Sequence, residues 1–427
     1  MHRREGRHCP RAPGARDPAH PGSREEPMSP FHRLSCDFEV LTPLFLGGAS
    51  QRAELRVPSI KGVMRSWYRA LDPEFVKHER ILFGNGGGGG NDARQSLLRL
   101  RCRPGERSQE SMRWRDARAE QFDQGSGRQT RNGLTYLGFP FSMRGNDERT
   151  ALRPGARFSL DVSWHRPGPE GRQPLRVALA SAWALGHFGS LGMRARRGFG
   201  ALALTGWRLL DGGGQTVSDD DLAALPLLHR TAGAAEWAAG ARRGLDVVRG
   251  WFGRFAEGGA GTARERHPHF GPRADFVVGA DKARRDDWRG AVLSLGRALQ
   301  DFRQRTPPDY GDVKNHVLFE AREGGLRIQR APARATFGLP LTFRYGSVPR
   351  GKPVAFAPVG GERHGSLLLL RPVLAGDSLF SLFLRLDGDV PGIDTPVGLR
   401  GSGRSLAPAA QNAMDEFIRK QKGKVAS

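Results

Sequence analysis

Two short stretches of this chain hold residue types suited to gripping phosphate. The first is GSLGMRARRGFG at 189–200, with Arg194, Arg196 and Arg197 set among Gly192, Gly198 and Gly200. Guanidinium forks match phosphate oxygens, and glycines let a backbone approach a ligand closely. The second is ELRVPSIKGVMRSWYRAL at 54–71. Pro58 and Ser59 are helix-start residues, and Ser59 is the expected N-cap. Lys61, Arg65 and Arg69 then recur at i, i+4 and i+8 along one helix face, with Arg52 and Arg56 in the connection just before it. A helix N-terminus with free amides beside Lys61 suits an anion.

Neither stretch is a nucleotide motif. Nothing reads GxxxxGK[ST]. The Gly198–Phe199–Gly200 triplet opens a strand and lacks the third glycine of a dinucleotide fingerprint. The arginine loop also leaves the negative end of its helix, so the arginines must supply the positive charge themselves. Two such sites suit an extended polyanion better than one small nucleotide. Each has a plainer explanation, a solvated loop or a wet helix face.

The composition supports the polyanion. The 427 residues carry 67 Lys+Arg against 44 Asp+Glu, a net charge of +23, with a pI near 11.2. Self-repulsion of that size points to an anionic partner. Cys9, Cys36 and Cys102 have no metal or redox spacing. No apolar run reaches the roughly 18 residues of a membrane span. The nearest, SLLLLRPVLAGDSLFSLFLRL, is broken by Arg371, Asp377 and Arg385 and predicts two strands.

The elements around the two sites predict an α+β fold. Alternation at Leu34, Cys36, Phe38 and Val40 predicts a strand. Ile60, Met64, Trp67 and Leu71 predict the core face of the helix, which places Trp67 in the core rather than against a base. TYLGFPF, ARFSLDVSWH and ALALTGW predict strands, and PLRVALASAWALGHFG a buried helix. Residues 1–29 read as a disordered basic head and 30–210 as a first domain with a glycine-rich insertion at 85–132. Residues 211–235 read as a linker, 236–420 as a second domain and 421–427 as a basic tail. In the second half Lys314, Arg330, Arg334 and Arg344 are further cations.

Catalytic chemistry finds little support. His32, before the first strand, and His187, before the arginine loop, are the histidines considered for RNA cleavage, and a lone histidine is more often structural. Asp92, Asp116 and Asp123 fall in the insertion with nothing to mark them. DDD at 219–221 reads as solvated, and HPH at 267–269 lacks companion metal ligands. No catalytic residue, metal or cofactor is expected.

TPLFLGGA, AELRVPSIKGVMRSWYRAL and ILFG together resemble the amino-terminal signature of the RAMP superfamily, and LGMRARRGFGAL is similar to its glycine-rich loop. More narrowly, the chain resembles the first subunit of the Cmr module of type III-B CRISPR effectors. FGLPLTFRYG and ERHGSLLLLRPVL are similar to that subunit's carboxy-terminal region, although RHGSL departs from its usual pattern. The resemblance implies two ferredoxin-like (RRM-like) domains with helices on antiparallel sheets. It implies a non-catalytic, cytoplasmic, RNA-binding subunit of an antiviral complex, near the guide 3′ region and the target RNA, with other RAMP subunits as neighbours and no membrane. By motif the resemblance carries the helix signature over onto Ser59, Lys61, Gly62, Arg65, Trp67 and Arg69, and the glycine-rich loop onto Gly192, Arg194, Arg196, Arg197, Gly198 and Gly200. The competing class is a RAMP endoribonuclease that processes guide RNA.

Overall fold

The computed structural model describes residues 33–86, 94–119, 133–143, 148–164, 173–256, 267–305, 309, 311–316, 328–343 and 353–426. The expected head at 1–29, His32, Asp92, Asp123 and Arg344 lie outside them. The elements that position the site are β1 (Arg33–Val40), α1 (Val57–Leu71), α2 (Phe75–Phe83), β2 (Leu98–Pro104), α3 (Gly133–Gly138), β3 (Arg157–Trp164), α4 (Gln173–His187), β4 (Leu202–Leu210) and β5 (Thr216–Val217). After them come α5 (Ala234–Phe252), β6 (Asp275–Arg284), α6 (Trp288–Arg305), β7 (Leu368–Ala375), β8 (Ser378–Arg385) and α7 (Ala413–Ala426).

The first sheet has the order β2-β3-β1-β4-β5, all antiparallel. With α1 between β1 and β2, and α4 between β3 and β4, this is the split βαβ topology of a ferredoxin-like unit. Leu34, Cys36, Phe38, Leu160 and Val162 alternate onto one face and pack under α1 and α4. β2 lies within the stretch expected to be an insertion, yet it is the outer strand of this sheet. The expected linker is also folded. Asp219 caps a short helix at Asp220–Ala223, and Asp221 accepts from Arg176 and from the Trp251 indole.

β6, α6, β7, β8 and α7 repeat the pattern with sheet order β7-β8-β6. These are the first three strands and two helices of a second ferredoxin-like unit, with no fourth strand among the described residues. The near-membrane apolar run is the β7–β8 hairpin, turned at Gly376–Asp377. Its apolar residues are continuous because both faces are covered. Leu368, Leu370 and Phe383 face α6 and α7, while Leu382, Leu384 and Phe276 pack into the core that α4 and α5 share with the first sheet.

α3 welds the halves further. A Cβ on Gly133 would stand 2.3 Å from the Leu293 carbonyl oxygen of α6, so only glycine permits this approach. Arg371 lies in the middle of β7 and is 1% exposed. Its guanidinium donates to the carbonyls of Gly186, Gly189 and Leu202, where α4 ends and β4 begins. No carboxylate is among these partners. The negative end of α4 and the three oxygens hold the charge, and burial pushes its pKa down to about 9.

Arg371→Met should cost about 3 kcal/mol, because buried carbonyls lose their donors at about 1–3 kcal/mol each. Urea denaturation measures it. A loss below about 1 kcal/mol would show that those carbonyls find other donors.

Candidate nucleic-acid interface

The glycine-rich loop lies against the TPLFLGG segment, so the two sequence motifs are neighbours in space. The Met193 N–H donates to the Phe45 carbonyl at 2.9 Å and the Gly200 N–H to the Pro43 carbonyl at 3.0 Å. Gly200 has φ 66°, and a Cβ there would stand 1.9 Å from the Leu191 oxygen. Gly192 has φ 79° and the same problem with Phe45, while Gly198 has φ 89°. These glycines let one piece of chain pack on another, rather than clearing space for a ligand.

The arginines of the loop correct the expectation of a solvent-facing clamp. Arg194 Nε donates to the Leu137 carbonyl at 2.8 Å. Arg197 donates to the Leu368 carbonyl at 2.8 Å and to Phe337 at 3.4 Å. Arg196 donates to the Ser366 carbonyl. The loop also forms a parallel bridge between Arg197 and Leu370 of β7. Burial, and then the neighbouring guanidiniums including Arg303, push Arg197 down to about 9. Burial does the same to Arg194, to about 10. The side chains are held by carbonyls distant in sequence, and the loop splices the two halves together. Arg196 is exposed, and Arg194 and Arg197 are half-buried.

α1 starts three residues earlier than expected. Arg56 rather than Ser59 is at the N-cap position, Pro58 is in the first turn, and no side chain caps the helix. The cationic face divides in two. Arg65 and Arg69 both close on the Glu79 carboxylate of α2, and Arg65 also donates to the Gly84 carbonyl at 3.1 Å. Arg52, Arg56 and Lys61 have no carboxylate partner among the described residues, and the first turn holds no acid. Burial, and then Arg65, push the Lys61 ammonium down. An uncapped helix end with three uncompensated cations around it is what remains of the predicted site. Trp67, Tyr68 and Phe199 are buried. Phe199 packs edge-on against Phe141, and none of the three is open to a base.

The groups considered for catalysis are engaged elsewhere. His187 is 2% exposed, between Trp183 and Trp237. Burial, and then the Arg371 charge, hold its imidazole neutral. Asp116 accepts the Arg113 N–H. His267 and His269 bond to nearby carbonyls. Among the described residues no cluster of His, Cys, Asp or Glu could hold a metal. No described helix is long and apolar enough to cross a membrane.

Sequence reasoning passed over a cleft of about 720 Å³ between the first sheet and β6–α6. It is lined by Glu39, Arg107, Arg153, Arg285, Trp288 and Asp377 among others. Glu39 is buried and grips Arg285 at 2.6 Å and Arg157 at 3.5 Å. These partners come from separate strands and loops, so no local pattern announces the cleft.

With this geometry in hand, the comparisons with known proteins are informative. The family model of the RAMP superfamily matches residues 37–203, from within β1 to the start of β4. The motifs that carry the resemblance, from TPLFLGGA to LGMRARRGFGAL, lie inside that match. The chain is 27% identical over 190 residues to the CRISPR system Cmr subunit Cmr1-2 of Pyrococcus furiosus, covering 39% of this chain and 91% of that protein. Among solved structures it is similar to apo Cmr1 from Pyrococcus furiosus, with a TM-score of 0.49 at 18% identity over 91% of this chain and 96% of that one. It is also similar to a chain of type III-B Cmr-beta bound to cognate target RNA, with a TM-score of 0.45 at 13% identity over 92% of this chain and 100% of that one.

Two outcomes follow. Gly200→Ala should destabilise by more than about 2 kcal/mol, since it adds a clash to a left-handed backbone. A smaller loss in urea denaturation would show that the loop can relax. His187 and His267 are neutral when folded, with His267 held down to about 4 mainly by burial. Unfolded, they titrate near 6.5. Below that pH the unfolded chain binds more protons, so stability is full above about pH 7 and falls as pH drops toward 4. His267→Gln should flatten the fall by up to about 1.4 kcal/mol per pH unit, read from urea melts at pH 5 and 6. An unchanged slope would show that His267 titrates normally.

Proposed function

We propose that this chain is a non-catalytic RNA-binding subunit of a type III-B Cmr CRISPR effector, acting in the cytoplasm beside other RAMP subunits. It holds guide RNA and target RNA by their backbones, largely independent of sequence. The observation that carries the reading is the uncapped N-terminus of α1 with Arg52, Arg56 and Lys61 lacking carboxylate partners among the described residues. Amides, dipole and cations there favour the same anion. The net charge of +23 and the Cmr name of the relative support it. The burial of His187 removes one of the two histidines on which guide processing would rest.

The test is RNA binding by the purified chain across a salt series. Arg52→Glu/Lys61→Glu should weaken binding alike on guide RNA and on an unrelated strand, and lower the log–log slope by about 1.4, or 0.7 per phosphate. The slope of a folded variant staying at the wild-type value would overturn the assignment to α1. Metal-free incubation with repeat-containing RNA should leave it intact. Site-specific cleavage that is lost in His32→Ala would replace this reading with a processing nuclease.

A further inference from the structure

The two sheets treat the faces turned away from the helices of their own ferredoxin-like unit in opposite ways. In the second sheet that face is apolar, and Phe276, Leu382 and Leu384 bury it against the first half. In the first sheet it is polar, and α1 and α4 occupy the other side. The register places Arg99, Arg101 and Arg103 of β2 opposite Ser163, Asp161 and Ser159 of β3. Those residues face Arg33, Ser35 and Asp37 of β1, and Ser35 in turn faces Arg208 of β4. All five arginines are exposed.

The charges do not cancel. Arg208 pairs with Asp37 at 3.2 Å and Arg103 with Asp161 at 2.8 Å. Asp37 also accepts from Ser159 at 2.6 Å. Arg33, Arg99 and Arg101 have no carboxylate partner among the described residues. The arginines of β2 stand two residues apart, about 6.6–6.8 Å by strand rise, in a row along the outermost strand.

Protein interfaces bury an apolar core, and the cross-strand residues named here are arginine, serine and aspartate. Single-strand readers that stack bases use aromatic side chains, and none is among them. What fits Arg33, Arg99 and Arg101, without carboxylate partners among the described residues and set among hydroxyls, is a sugar–phosphate backbone. We propose that the open face of the first sheet is a second RNA track, on the side of the sheet opposite α1, that holds the backbone of a single strand through Arg33, Arg99 and Arg101. It rests on the RNA-binding reading above.

The test uses the full chain and a single-stranded RNA of arbitrary sequence in a salt series, comparing wild type, Arg99→Glu/Arg101→Glu and the milder Arg99→Gln/Arg101→Gln. Thermal melts establish folding, and the Gln pair serves if the Glu pair does not fold. The expected result is a slope lower by about 1.4, additive with the α1 variant to about 2.8. An unchanged slope in a folded sheet variant, with the α1 variant still weakened, overturns the track and leaves the RNA reading intact. The arginines would then guard an exposed strand edge. Loss of co-purifying subunits with the RNA slope intact also overturns it, in favour of protein docking. Wild type that binds no RNA overturns both readings.

Discussion

The structure turns on a buried cation without a counter-ion. Arg371 sits in a strand of the second half and satisfies the carbonyls where α4 of the first half ends and β4 begins. Desolvating a guanidinium is costly unless its hydrogen bonds are remade, and here they are remade only when both halves are in place. The same logic applies to Arg194 and Arg197, whose acceptors are the Leu137 and Leu368 carbonyls. Three arginines thus tie the glycine-rich loop, α3 and β7 into one body, and the apolar clusters cross the same boundary.

This arrangement explains why the two most distinctive motifs occur together. The loop's glycines admit the TPLFLGG backbone at distances that no Cβ would allow, and its arginines reach across to the second half. The motif is then a structural splice first. What it offers a ligand is the exposed Arg196, with Arg194 and Arg197 half-buried beside it.

Charge is sorted by burial. Buried and half-buried cations are matched by carbonyls or by single carboxylates such as Glu79, which serves both Arg65 and Arg69, and Glu39, which serves the half-buried Arg285 and the exposed Arg157. The uncompensated charge lies outside, at the start of α1 and along the polar face of the first sheet. For a chain at +23, that distribution presents uncompensated charge where an anion would relieve it.

The sequence by itself determined what is local. Alternation in LSCDFEV, the apolar stripe of α1, the all-round apolar α4 and the hairpin in SLLLLRPVLAGDSLFSLFLRL follow from side-chain period and burial. The α+β class, the core role of Trp67 and the RAMP resemblance were legible for the same reason. Only the tertiary structure decided which cations are free. Arg197 and Arg52 look alike in sequence. One finds a carbonyl 171 residues away, and the other finds no carboxylate partner among the described residues. Likewise SLLRLRCR can be read as a strand inside an insertion, and only its pairing with β3 makes it the outer strand of the first sheet. Hydrogen-bond partners and sheet register are set by contacts between distant segments, which a local pattern does not encode.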